Sequence, residues 1–311
     1  MQLMDRRKIT YKLFPTAAQI VQLGNLLRLH KDLWNAALQE RIDAWRKVSK
    51  SISYEDQCAS LTQIRGELPD DWAIMNCSSQ QVTLRRLNKA FQGFFRRVAR
   101  GQSPGFPRYK SIQRMPGFGY KSHGDGWRFT PAMGQRKGKE CWKHGTLRLQ
   151  GVGHIKARGM ARQGGTIKSC EVLHDRGEWH LSLTVECTDI QREGGGMAVA
   201  ADWGVNTLLS LVKSDGTTEP IPNPRWFKEG QARQLELDRA VSRKKRRSKG
   251  WRRAKRASAN FKAKSARRRL DHHHKLSARI AGEVAIFATE DLTIKNMTAS
   301  AAGTLDEPGG M

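Results

Sequence analysis

The chain has 311 residues, with 56 Lys and Arg against 29 Asp and Glu, a formal net charge of +27. Such an excess opposes compaction by self-repulsion until a polyanion neutralises it. Nucleic acid is the first choice of polyanion and an anionic membrane surface the second. No long apolar segment, lipidation signal or signal-peptide core is written here, which speaks against a membrane and for a cytosolic protein. The five cysteines (Cys58, Cys77, Cys141, Cys170 and Cys187) are odd in number and widely spaced. They encode neither a disulfide framework nor a zinc ribbon, and reduced, mostly buried thiols are expected.

Taken in order, Arg7 to Phe14 alternates enough for a first strand, with Ile9, Tyr11 and Leu13 on one side and Pro15 ending it. Thr16-Ala17-Ala18-Gln19 has the form of a capping box, so a helix is predicted from there. Ile20, Leu23, Leu27, Trp34, Leu38, Ile42 and Trp45 recur at helical spacing and mark its expected buried stripe. Pro69-Asp70-Asp71 is a break. A second helix is predicted from about Ser79 to Arg100, apolar along Leu84, Leu87, Phe91, Phe94 and Val98. Arg85, Arg86, Lys89, Arg96, Arg97 and Arg100 lie largely elsewhere on its cylinder. A basic face of this kind is either plainly solvated or holds phosphates, and the scarcity of compensating acids favours phosphates.

In Gly101 to Lys110, glycine, proline, aromatics and cations interleave. Phe106 and Tyr109 can stack on bases while Arg108 and Lys110 hold a backbone. A structured loop is the plain alternative, and the two are compatible. Short strands are predicted at Thr146–Leu149, His154–Ala157, Thr166–Cys170 and Trp179–Glu186, forming a small antiparallel barrel or sheet. Arg192 to Gly196, ending in three glycines, reads as a linker.

Met197 to Ala201 is a short apolar run that leads straight into Asp202, with Gly204 two places on. Such a run reads as a buried strand, and an acid at its end sits at a sheet rim where functional groups gather. The blunt alternative is that Asp merely starts a turn. Leu208 to Val212 and the Ser214-Asp215-Gly216 turn complete a hairpin. Val284 to Leu292 repeats the form, an apolar run ending in Glu290 and Asp291. If the two runs pair side by side, two carboxylates meet at one rim. Hard oxygen ligands of that kind suit Mg²⁺ and phosphodiester hydrolysis.

Between them, 231–280 has helical composition and carries a basic run that includes Lys244, Lys245, Arg246, Arg247, Arg252 and Arg253. Lys262, Lys264, Arg267, Arg268 and Arg269 follow, with Phe261, Leu270 and Leu276 among them. That favours a basic helical element in a nucleic-acid channel over a disordered arm. Neighbours on a helix point about 100° apart, so His272-His273-His274 does not converge easily on one metal. Contact with a nucleic-acid backbone, or plain exposure, is expected of it instead.

The order of motifs resembles the TnpB family, insertion-sequence RNA-guided DNA nucleases related to miniature type V CRISPR effectors. The matching text is Tyr11-Lys12-Leu13-Phe14-Pro15-Thr16 with Gln19, Leu33 to Leu38, Leu84 to Leu87, Ala90 to Phe95 and Pro104 to Lys110. It continues with His274-Lys275-Leu276-Ser277, Asp202-Trp203-Gly204-Val205 and Glu290 to Met297. The resemblance implies an α+β chain: an N-terminal wedge-like β-barrel interrupted by a helical recognition lobe, then a RuvC-type, RNase H-like α/β nuclease domain. On that reading 1–15 is the first barrel strand, 16–115 the helical lobe, 116–192 the remaining barrel, 193–300 the incomplete nuclease domain and 301–311 a tail.

It further implies a guide RNA made from the element's own end, a double-stranded DNA target with a short flanking motif, and a transient partner transposase. The setting is the bacterial cytoplasm, at the nucleoid. Carried over residue by residue, Asp202 and Glu290 are the first two catalytic acids and Mg²⁺ ligands, and Lys275 joins the nucleic-acid contacts. In the family a zinc ribbon and a third acid follow; the zinc ligands are missing here, and Asp306 and Glu307 in the Gly/Pro-rich tail are not given the acid's role. A truncated chain, weak or inactive alone, is therefore expected. The alternatives are a guided nucleic-acid-binding protein that does not cut, acting as a repressor or relic, and a DNA-binding protein without RNA.

Overall fold

The computed structural model describes residues 4–69, 72, 74–136, 138–161, 164–188 and 195–292. Asp70 and Asp71 of the predicted break, Arg192 to Gly194 of the linker, and residues 293–311 with Asp306 and Glu307 lie outside them. The chain divides into two compact units, Met1–Asp189 and Ile190–Met311. No helix among the described residues is long and apolar enough to cross a membrane.

The first unit is an antiparallel sheet with three helices inserted after its first strand. Strand β1 (Met4–Phe14) is followed by α1 (Ala17–Val48), α2 (Tyr54–Glu67) and α3 (Cys77–Ala99). Then come β2 (Gly117–Tyr120), β3 (Trp127–Arg136), β4 (Lys139–Leu149), β5 (Gly153–Ala161), β6 (Thr166–Asp175) and β7 (Glu178–Thr188). The strands lie in the order β2-β6-β7-β1-β5-β4-β3, so the first strand sits mid-sheet between partners from far along the chain. Ile9, Tyr11 and Leu13 pair opposite Leu183, Leu181 and Trp179. That register puts the apolar alternation of both strands on the same face. Tyr11, Leu181, Leu183 and Val185 are fully buried there.

The expected barrel is not closed: β2 and β3 end the sheet and are not paired with each other. The physical reason lies at β2. It is four residues long, buried throughout, and covered by α3 rather than by a strand. Arg86 of α3 donates to the Gly117 carbonyl at 2.8 Å and pairs with Glu171 of neighbouring β6 at 2.6 Å. A helix therefore covers this end of the sheet, a recurrent way of protecting an unpaired strand edge.

The capping box forms as predicted, with Gln19 N donating to Thr16 Oγ1 and Thr16 N to Gln19 Oε1. Gln19 Nε2 also donates to the Val152 and His154 carbonyls, tying the start of α1 to the sheet. The front half of α1 (Leu23, Leu26, Leu27) packs on the sheet core, and the back half (Leu33, Trp34, Ala37, Leu38) packs with Leu61, Leu84, Leu87 and Phe91. Each buried Leu or Phe of this set contributes about 1.5–3 kcal/mol of burial. The predicted stripes overrun at their ends: Ile20, Trp45 and Val98 are exposed, because neither the sheet nor a second helix reaches the outer turns. The second helix starts at Cys77, two residues earlier than expected, because Asn76 caps it by accepting from Ser79 N.

The second unit is a four-stranded sheet, β10-β9-β8-β11, with a helical hairpin between its third and fourth strands. Strands β8 (Met197–Trp203), β9 (Thr207–Lys213) and β10 (Thr218–Pro222) form antiparallel hairpins. Helices α4 (Trp226–Ser242) and α5 (Lys249–Glu283) follow, and β11 (Val284–Thr289) returns parallel to β8. The basic run is therefore not one helix: residues 243–248 form the exposed turn between two, where Ser248 caps α5 by accepting from Trp251 N. The core here is small, namely Val199, Ala201, Leu209, Leu211, Ile221 and Ile280.

Candidate nucleic-acid interface and carboxylate edge

The carboxylate edge is built by the pairing of β8 and β11. Their register runs Ala288↔Ala200 and Thr289↔Ala201, so Asp202 and Glu290 each follow the last matched pair by one residue. Parallel strands lie about 4.8 Å apart, which sets the backbone separation at that step. Along β8, Val199 and Ala201 are buried while Ala200 and Asp202 are exposed, so Asp202 stands on the open side. Glu290 and Asp291 are exposed as well. Trp203 Nε1 donates to Thr289 Oγ1 at 2.9 Å and clasps the two strand ends together.

Two glycines permit this arrangement by close approach. A Cβ on Gly204 would lie 2.6 Å from the Thr207 carbonyl oxygen, so the turn after Asp202 has no room for a side chain. A Cβ on Gly195 would lie 1.9 Å from the Glu283 carbonyl oxygen, and Gly195 N donates to the Gly282 carbonyl. Gly195, read as part of a linker, thus seats the start of β8 against the α5–β11 junction. Arg279 of α5 pairs with Glu219 of β10 at 2.7 Å, holding the helix to the sheet.

The cations named from sequence fall into two groups. In the first unit Arg85, Lys89, Arg96, Arg108 and Tyr109 are exposed. Arg86 and Arg97 have protein partners: Arg86 braces β2 and β6, and Arg97 Nε donates to the Pro104 carbonyl at 2.5 Å. The 104–110 loop is pegged to α1, since Trp34 Nε1 donates to the Arg108 carbonyl and Asn35 exchanges two bonds with Lys110. Tyr109 donates its hydroxyl to Gln39. The Lys110 ammonium lies 3.5 Å from the Trp34 ring centre, and burial, helped by nearby Arg86, lowers its pKa to about 8. The aromatic loop is thus structured, with Phe106, Tyr109 and Arg108 still facing outward.

In the second unit Lys244, Lys245, Arg246 and Arg247 occupy the exposed interhelical turn, and Arg252, Arg253, Arg267, Arg268 and Lys275 are exposed along α5. Arg268 lies over the Trp226 ring at 5.3 Å, and Lys275 pairs with Asp271 at 2.6 Å. Among the described residues no group of three or more His, Cys, Asp or Glu side chains is placed to hold a metal. His272 packs edge-on against Trp226.

Sequence reasoning missed His30, which is fully buried between Ser79 and Thr83 and stacked on Phe118 at 5.0 Å. Burial, with a smaller push from Arg86, drives its pKa down to about 3, so the ring is neutral and structural. The pairing of Trp34-Asn35 with the 104–110 loop was missed too, although both segments stood out in the sequence.

The chain is thus a basic, two-unit α+β protein with two acids at one sheet edge. The chain is a relative of the TnpB-type proteins: residues 182–301 match the OrfB_IS605 family model, described as "Probable transposase". A Streptomyces pristinaespiralis protein named "Putative RNA-guided DNA endonuclease" is 29% identical over 299 residues, covering 94% of this chain and 68% of its own. The Escherichia coli K12 protein InsQ, which carries the same description, is 26% identical over 303 residues, covering 96% and 69%. A solved Cas12f1–sgRNA–target DNA complex superposes with a TM-score of 0.38 at 13% identity, over 93% of this chain and 73% of that one.

Proposed function

We propose that this chain is an RNA-guided DNA endonuclease of the TnpB type, with Asp202 and Glu290 as catalytic carboxylates in a RuvC-like second unit. The observation that carries the reading is the in-register pairing of β8 with β11, which ends in one acid on each strand. The relatives' names support the same reading.

The two carboxylates fit Mg²⁺, a hard cation that keeps several waters and takes one or two carboxylates. When bound, such an ion supplies an activated water and relieves charge on the leaving 3′-oxygen. The rest is the work of the chain. The open side of the sheet leaves both acids accessible to a phosphodiester. The Trp203–Thr289 clasp keeps the strand ends from separating when two like charges sit together. Arg85, Lys89, Arg96 and Arg108, with the exposed cations of α5 and the turn before it, neutralise phosphates and release counterions, and Tyr109 offers a ring for stacking. Sequence is read by guide–target pairing, the protein reading only a short flanking motif. A transient transposase partner belongs to the same reading.

The test uses the full chain purified with its element-derived RNA, Mg²⁺ and a matched duplex bearing the flanking motif. Guide-dependent cleavage that vanishes in Asp202→Ala supports the assignment; cleavage unchanged in that variant removes it. Guide-dependent retention of the duplex without any product identifies the alternative, a guided binder that does not cut. DNA binding insensitive to RNase would instead mark a DNA-binding protein that needs no guide.

A further inference from the structure

A cavity of about 490 Å³ opens in the second unit where the β8–β9 turn, the β10–α4 junction and the middle of α5 meet. Arg225, Lys228, Arg269, His272 and His273 are among its lining residues, and no acid is. Lys228 and Arg269 are exposed and form no ion pair among the described residues. His272 Nε2 is buried without a hydrogen-bond partner. Buried polar atoms are normally satisfied, so the unpaired ring nitrogen points to a ligand that completes it, and the cations around it point to an anion.

The cavity is also built rather than incidental. Arg225 holds a left-handed backbone, φ 49°, which is uncommon for a residue with a side chain. It is kept there by Asn223, whose Oδ1 accepts from Arg225 N while its Nδ2 donates to the Val205 carbonyl. The Arg225 guanidinium donates to Asn206 Oδ1 at 2.9 Å. Two segments about 20 residues apart are thereby stitched into one rim.

Position supplies the ligand. β10 and β8 end at the same edge of the sheet, since both run antiparallel to β9. The cavity therefore opens at the edge that carries Asp202, one or two strand spacings away, about 5–10 Å. We infer that it is a phosphate subsite: Arg225, Lys228 and Arg269 hold the phosphate of one nucleotide of a nucleic-acid strand beside the carboxylate edge. The choice of a nucleic-acid strand rests on the proposed function; the pocket and its charge do not.

The experiment measures fluorescence anisotropy of a short 5′-labelled single strand with the full chain in EDTA, so that cleavage plays no part. Lys228→Glu/Arg269→Glu should weaken binding by about tenfold or more and lower the slope of log affinity against log salt by about 2. Lys228→Gln/Arg269→Gln should give a smaller loss in the same direction. Arg148→Glu/Lys156→Glu, which makes the same charge change at exposed positions of the first unit's sheet, should lose much less. Displacement of the strand by dTMP well ahead of inorganic phosphate supports a nucleotide subsite, and equal displacement supports recognition of the phosphate group alone. Unchanged binding by the Lys228/Arg269 variants, or a loss matched by the control pair, overturns the inference. Because the readout is strand binding in EDTA, failure of the nuclease assignment (cleavage unaffected by Asp202→Ala) and failure of the subsite (binding unaffected by the Lys228/Arg269 variants) are separate results.

Discussion

The two units differ in how deeply their cations are built in. In the first, several guanidiniums are absorbed by the scaffold. Arg41 bonds Gln57 and Asn88, Arg65 gathers the Trp72 and Met75 carbonyls with Gln80, and Arg86 braces two strands. The core beneath them is extensive, from Tyr11 and Leu13 through Phe118 and Phe129 to Val185. In the second, a core of six buried residues carries a helical hairpin whose cations mostly face water. A basic run in a sequence can therefore be mortar or bait, and burial of the surrounding positions separates the two. A unit with a small core and crowded like charge should owe part of its stability to whatever neutralises it.

That contrast can be broken most forcefully from the first unit. Phe118→Ala removes a fully buried ring stacked on His30 and should cost about 3–5 kcal/mol. Hydrogen exchange should place the loss in residues 4–188 alone. Faster exchange in β8 and β11 as well would show that the units are not independent.

Adding a polyanion should do the reverse. At about 100 times its Kd, it should raise the opening free energy of the second unit by about 2.7 kcal/mol, and the gain should fade with salt. Equal gains in both units would erase the distinction drawn above.

Gly195→Ala tests the smaller core from inside. Its Cβ would press on the Glu283 carbonyl, and a loss of about 2–3 kcal/mol is expected, confined to β8, β11 and the end of α5.

The mildest test is pH. His30 has a folded pKa of about 3 against an ordinary 6.5, so the unfolded chain binds the extra proton between those values. The contribution is fully present above about pH 6.5 and is lost as pH falls towards 3. Between pH 7 and pH 5 the first unit should lose about 2 kcal/mol in urea titrations. His30→Gln should flatten that dependence.

Much of this was legible beforehand. The Thr16 capping box, the first strand and the matched runs ending in Asp202 and Glu290 all follow from short-range rules of period and capping. The open sheet was not legible, because closure depends on what covers β2, and the covering residue, Arg86, read as an ordinary surface cation. The interior use of Arg97 and the neutrality of His30 failed for a similar reason: each depends on a partner distant in the sequence or on burial that local pattern does not report. The cavity beside Arg225 combines residues from 205 to 273 and carries no contiguous motif.

The β8–β11 joint has a consequence for timing. About 80 residues separate the end of β8 from the start of β11. At about 5–20 residues per second of synthesis, the three hairpin strands leave the ribosome several seconds before their parallel neighbour. Through that interval the nascent chain carries one acid of the pair and none of its counterpart. The basic helices emerge within the same interval, so their cations reach solution before the second acid exists.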